Sequence, residues 1–343
     1  MTDRREELEA TARAMVADGE GILAADESNA TMTKRLEGVE VESTEDSRLA
    51  FRELLTATPD AGKAISGVIL YDETIKQKTS EGTPFPDFLT DRGMIPGIKV
   101  DTGAKDLAGA PGEKVTEGLD GLRERLAEYY ELGARFAKWR GVITLGDHLP
   151  TDYCVRVNAQ ALARYAALCQ EAGIAPIVEP EVLMDGEHTV DRSEQVTLNV
   201  LSTVFAELRA QRVLLEGMVL KPNMVLSGYD CSDQADVQEV AERTLETLRR
   251  TVPAAVAGIA FLSGGQSDER ATAHLNAMSA MGPHPWALTF SYGRALQAAP
   301  LKAWGGQEGN AESARAAFAL RARCNSAATQ GRYSEEMEKE PVA

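Results

Sequence analysis

Eight short apolar runs recur along the chain, each closing on polar, charged or glycine residues. They are 21–26 (GILAAD), 67–72 (GVILYD), 94–101 (MIPGIKVD), 134–141 (ARFAKWRG), 175–182 (APIVEPEV), 217–224 (GMVLKPNM), 258–265 (GIAFLSGG) and 287–294 (ALTFSYGR). Near-continuous apolar runs of this kind are what strands covered on both faces of a parallel sheet require. Between them the period changes to that of amphipathic helices. Leu119, Leu122, Leu126 and Tyr130 mark one over 116–132, stopped by Gly133. Val155, Leu162, Tyr165 and Cys169 mark another over 152–172, stopped by Gly173. A third, 236–250, carries Val237, Val240, Leu245 and Leu248 and ends in Arg249 and Arg250, cations suited to a helix C-terminus.

Strand–helix alternation repeated eight times, with no GxGxxG turn after the first strand, points to an α/β fold of the (β/α)8 TIM-barrel type over a doubly wound sheet. Three segments stand outside that count: an N-terminal helix over 6–18, a polar connection over 76–91 containing Pro84 and Pro86, and a C-terminal helix near 311–323. No linker divides the chain, so 1–343 reads as a single domain, with about 334–343 as a short mobile tail.

Charge narrows the partners. With 36 Lys and Arg against 53 Asp and Glu, the net charge of −17 argues against a nucleic-acid or anionic-membrane surface. Cations needed for an anionic ligand must then be concentrated locally. The four cysteines (Cys154, Cys169, Cys231, Cys324) are scattered and read as free thiols of a reducing compartment. The N-terminus is too charged for a signal peptide and no apolar run is of membrane-spanning length, so the expectation is a cytoplasmic protein.

Within the sixth run, Lys221 stands among apolar residues and immediately before Pro222. Burial disfavours the ammonium form, and a lysine neutral near pH 7 is a nucleophile toward carbonyls. The alternative for such a lysine is to snorkel from a strand end. The other strand ends favour chemistry, because active sites of these barrels lie there. They carry Asp26, Lys99, Lys138 with Arg140, Glu179 with Glu181, Ser263-Gly264-Gly265, and Gly293-Arg294. Side chains two apart on a strand share a face, which pairs Lys138 with Arg140 and Glu179 with Glu181. The two cations would help keep Lys221 neutral and attract an anion. The two carboxylates would raise one another's proton affinity, leaving one able to donate the proton that imine formation requires. Asp26 offers a second base. The glycine-rich ends, with Arg294, suit a phosphate. Plain barrel-interior salt bridges, Lys138–Glu179 or Arg140–Glu181, and a tight turn at SGG are the structural alternatives. Trp139 is expected to pack outward against helices.

The stretches LAADES (23–28), FAKWR (136–140), IVEPE (177–181), LKPNM (220–224), FLSGGQS (261–267) and LTFSYGR (288–294) resemble class I, Schiff-base-forming fructose-1,6-bisphosphate aldolase, in the same order along nearly the whole chain. The resemblance implies reversible cleavage of fructose 1,6-bisphosphate to dihydroxyacetone phosphate and glyceraldehyde 3-phosphate, in glycolysis and gluconeogenesis, without cofactor or metal, by a homotetramer. It implies Lys221 as the Schiff-base lysine and Glu179 as the proton-transfer group, with Glu181 beside it. Asp26 would be the base at the carbon-4 hydroxyl, and Lys138 would hold that region. Ser263, Gly264, Gly293, Arg294 and Arg35 would bind the carbon-1 phosphate, with Ser291 and Arg140 also on the substrate. Ser28, Thr31 and Lys99 would bind the carbon-6 phosphate. Asn29-Ala30-Thr31 replaces a small Thr/Gly/Ser segment of the animal enzymes. The chain closes on Pro341-Val342-Ala343 where those enzymes carry a terminal tyrosine, so turnover without that tyrosine is expected.

A metal-dependent aldolase would need clustered histidines, and His148, His188, His274 and His284 lie off the strand ends without ligand spacing. A glycoside hydrolase would use Glu179 and Glu181 but not Lys221 beside Lys138. Another sugar-phosphate aldolase, or a barrel retained as an assembly scaffold, remain the alternatives.

Overall fold

The computed structural model describes residues 2–339. Its strands are β1 (Gly21–Ala25), β2 (Ile65–Leu70), β3 (Ile95–Lys99), β4 (Gly103–Asp106), β5 (Lys114–Glu117), β6 (Phe136–Ile143), β7 (Ala175–Val182), β8 (Val219–Leu220), β9 (Gly258–Phe261) and β10 (Ala287–Tyr292). Eight of them close a parallel barrel in the order β1-β2-β3-β6-β7-β8-β9-β10, with β10 returning to β1. This is the (β/α)8 barrel, and each apolar run supplies one of its strands. The seam pairs Ile22 with Ser291 and Leu23 with Tyr292, and the Thr289 hydroxyl donates to the Glu20 carbonyl across a sequence separation of 269.

Apolar residues separate into two cores because strand side chains alternate between faces. The larger lies between barrel and helices, and includes Trp139, which points outward and meets the Tyr165 ring at 5.6 Å on the helix Asp152–Ala172. The smaller fills the barrel floor with Ile22, Ile69, Phe136, Ile177, Val219 and Ala260, and is capped by Leu8, Ala12, Met15 and Val16 of the N-terminal helix Thr2–Met15. Phe136 occupies the axis so fully that a Cβ on Gly97 would come within 2.2 Å of its ring. Glycine is therefore required there by space, not by backbone conformation.

Differences from the sequence reading are local. The helix expected over 116–132 begins only at Leu122, because 114–117 pairs with 103–106 as an antiparallel hairpin. Gly118 and Gly121, at φ +124° and +64°, break the chain between hairpin and helix. The connection over 76–91 contains the short helix Phe85–Thr90, with Pro86 in its first turn. The C-terminal helix extends to Thr329. Of the segment expected as a mobile tail, Glu335–Lys339 forms a 3-10 turn, with Glu338 ion-paired to Arg321. Residues 340–343 lie outside the described part of the chain. No helix among the described residues is long and apolar enough to cross a membrane.

Candidate active site

A cavity of about 1060 Å³ opens at the C-terminal ends of the barrel strands. Strand termination places its side chains. β1 stops at Ala25, so Asp26 is the first residue beyond the ladder. β8 is only two residues long. Lys221 still donates its N–H to the Val178 carbonyl at 2.8 Å, and Pro222, with no N–H to give, ends the strand.

Four charged groups meet on the axis. Lys138 Nζ lies 2.9 Å from Asp26 Oδ2 and 3.1 Å from Glu179 Oε2, and Glu179 Oε1 lies 3.4 Å from Lys221 Nζ. All four are buried, Lys221 being 3% exposed. Opposite charges alternate along this row, which is how buried charge is tolerated. The two lysines are nonetheless driven apart. Burial is the largest influence on Lys221 and lowers its pKa; Glu179 opposes the change and Lys138 reinforces it. Burial also acts to lower Lys138, but Asp26, Glu179 and Asp101 override it and hold that ammonium well above the ordinary lysine value. Burial would raise Asp26, yet Lys138, Lys221 and Lys99 outweigh it and bring the carboxyl down to about 2. The site thus holds one lysine biased toward the free amine, one fixed cation and one carboxylate ionised at all working pH values.

Both barrel-interior ion pairs raised as structural alternatives are present: Lys138–Glu179, and Arg140 with Glu181. They accompany the Lys221 contact and do not replace it. The two glutamates do not share a site by mutual repulsion, as the shared face suggested. Each instead faces a cation, Glu179 two of them.

Glycine- and hydroxyl-bearing segments of the same lining extend to either side of this row. On one side Gly264 and Gly265 have φ of +61° and +100°, and Gly293 precedes the helix Arg294–Trp304. The helix N-terminus and the bend at Ser263–Gly265 offer backbone N–H groups of the kind that suit an anion. Arg294 crowds the bend, with Nη2 lying 2.8 Å from where a Gly265 Cβ would stand. The Ser291 hydroxyl is buried in the wall and has no partner among the described residues. On the other side Ser28 caps the helix Asn29–Glu37, its Oγ 3.2 Å from Thr31 Oγ1. Lys99 stands opposite, held 2.7 Å from Asp101 Oδ1.

Every residue singled out from the sequence lines this one cavity, whereas none of the four histidines does. Arg35 lines it too, already ion-paired with Glu27. Of the lining residues that the sequence reading passed over, two bond to the predicted set. Asp101 pairs with Lys99 and accepts the Arg140 N–H at 3.3 Å. Glu27, beyond its pair with Arg35, accepts from Gln297 Nε2 at 2.8 Å. Both had a signal, since Asp101 ends its run as Asp26 ends the first, and Glu27 follows Asp26. The lining carries nine basic against seven acidic side chains, in a chain whose net charge is −17.

Comparison with known proteins agrees across the chain's length. The family model for fructose-bisphosphate aldolase class-I matches residues 7–343. The chain is 56% identical over 329 residues to a probable fructose-bisphosphate aldolase class 1 of Xanthomonas campestris pv. campestris, covering 96% of this chain and 98% of that one. It is 51% identical over 331 residues to fructose-bisphosphate aldolase 4, cytosolic, of Arabidopsis thaliana, covering 96% and 84%. The solved structure of a fructose-bisphosphate aldolase from Plasmodium falciparum superimposes with a TM-score of 0.96 at 50% identity, covering 97% of each chain.

Proposed function

The chain belongs to the class I fructose-bisphosphate aldolases, and from that premise we propose that it cleaves fructose 1,6-bisphosphate through an imine on Lys221. The observation that carries this reading is a buried lysine, lowered in pKa by its burial, with the carboxyl of Glu179 at 3.4 Å. Lys221 passes its ammonium proton to Glu179 across that contact and adds as the free amine to the ketose carbonyl; Glu179 then returns the proton to the carbinolamine hydroxyl, which leaves as water. Asp26 then takes the proton of the carbon-4 hydroxyl. The electrons of the bond between carbons 3 and 4 flow into the iminium, releasing glyceraldehyde 3-phosphate and leaving an enamine. Protonation and hydrolysis of the enamine return dihydroxyacetone phosphate and the free lysine. A carboxylate with pKa about 2 is always available but weakly basic; the iminium electron sink reduces the basicity the step demands.

Lys138 holds Asp26 and Glu179 in place and carries positive charge to the reacting oxygens. Ser263, Gly264, Gly293 and Arg294, with Ser291 and Arg35, take the carbon-1 phosphate. Ser28, Thr31 and Lys99 take the carbon-6 phosphate, with Arg140 and Glu181 between the two ends. The family reading extends to a cytoplasmic homotetramer acting in glycolysis and gluconeogenesis, and sedimentation tests the assembly.

Borohydride reduction in the presence of dihydroxyacetone phosphate, followed by peptide mass mapping, tests the mechanism. The expected adduct is on Lys221, is absent from Lys221→Met and is indifferent to EDTA. Cleavage activity with no trapped adduct would break the imine mechanism.

A further inference from the structure

Tyr229 stands on the loop after β8, 43% exposed and not among the residues lining the cavity, yet it is bonded to the glycine loop at the cavity wall. Its hydroxyl donates to the Gly264 carbonyl at 3.0 Å and lies 3.3 Å from Met184 Sδ. The loop beneath it is pinned to the segment after β7. The Tyr229 N–H donates to the Met184 carbonyl at 2.9 Å, and the Gly228 N–H to the His188 carbonyl at 2.7 Å. The phenol is therefore a fixed point.

In a trans peptide the carbonyl and the following N–H point in opposite directions. Holding the Gly264 carbonyl toward Tyr229 therefore turns the Gly265 N–H away from the phenol, in a loop whose Gly264 and Gly265 line the cavity with Arg294. Two successive glycines leave this peptide little intrinsic preference for one orientation, so an external hydrogen bond decides it. Among the described residues neither the Gly264 nor the Gly265 N–H has an acceptor. We propose that Tyr229 is a positioning residue for the carbon-1 phosphate, presetting the Gly264–Gly265 peptide with its N–H toward the anion. The proposal rests on the reading that this loop, with Arg294, takes that phosphate. Burial, opposed by Arg294, raises the phenol to about 12, so it remains a donor throughout the working range.

The condensation direction tests this with an internal control, because dihydroxyacetone phosphate uses the carbon-1 end and glyceraldehyde 3-phosphate the carbon-6 end. Tyr229→Phe deletes one oxygen from an exposed side chain and leaves the fold intact. It is expected to raise KM for dihydroxyacetone phosphate about fivefold, the scale of one hydrogen bond, with kcat and KM for glyceraldehyde 3-phosphate within about twofold. Unchanged KM values, or both rising together, would overturn the proposal. Arg294→Ala reports on the underlying site: if it leaves KM for dihydroxyacetone phosphate unchanged, the phosphate reading itself fails, and the proposal with it.

Discussion

Lys138 and Lys221 are the same residue type a few ångströms apart through Glu179, and they are shifted in opposite directions. The difference lies in partners. Lys138 faces two carboxylates, while Lys221 reaches one carboxylate already shared with another cation. Lys138→Met should therefore do more than slow turnover. Removing the cation leaves Asp26 and Glu179 uncompensated beside Lys221 and abolishes the repulsion that lowers it, so both changes raise the Lys221 pKa. The rising limb of trapping rate against pH should move to higher pH, and kcat should fall at least about 100-fold with loss of the fixed positive charge. A trapping profile at its original position would show that Lys138 does not tune the nucleophile.

At the scale of the element, the helix Asp268–Ala280 follows the phosphate loop and buries His274, whose Nδ1 meets Gln266 Oε1 at 2.6 Å. Burial, with Arg270 adding to it, lowers this imidazole from 6.5 to about 4. A base depressed by folding leaves stability intact above its unfolded pKa and removes it as pH falls toward the folded one. The window is therefore from about 6.5 down to about 4, with at most about 3 kcal/mol lost across it. Urea denaturation across that range should show the decline, and His274→Gln should flatten it. How legible were these elements? The barrel strands could be read because burial on both faces forces unbroken apolar runs, and the site because one polar residue terminates each run at the mouth. The hairpin 103–117 was not legible: burial along it is slight, so Thr116 and Leu119 were absorbed into a helical period that Gly118 and Gly121 in fact interrupt. Tyr229 carried no sequence signal, since it acts through the carbonyl of Gly264, 35 residues away.

Over the whole molecule the barrel is open at one end only. The N-terminal helix seals the floor with Met15 fully buried, while the reacting groups sit at the opposite mouth. Met15→Ala should thus destabilise the protein by about 2–4 kcal/mol through the cavity it leaves, lowering the thermal midpoint while kcat of the folded enzyme stays unchanged. A fall in kcat at full folding would mean that floor and mouth are mechanically coupled. The seam between β1 and β10 has a consequence for biosynthesis. Ribosomes extend chains at about 5–20 residues per second, so the two sides of that seam, 269 residues apart, emerge on the order of tens of seconds from each other. Throughout that interval the nascent β1 presents an unpaired edge, the kind of edge on which neighbouring chains aggregate. That exposure ends only when β10 leaves the ribosome and closes the barrel against β1.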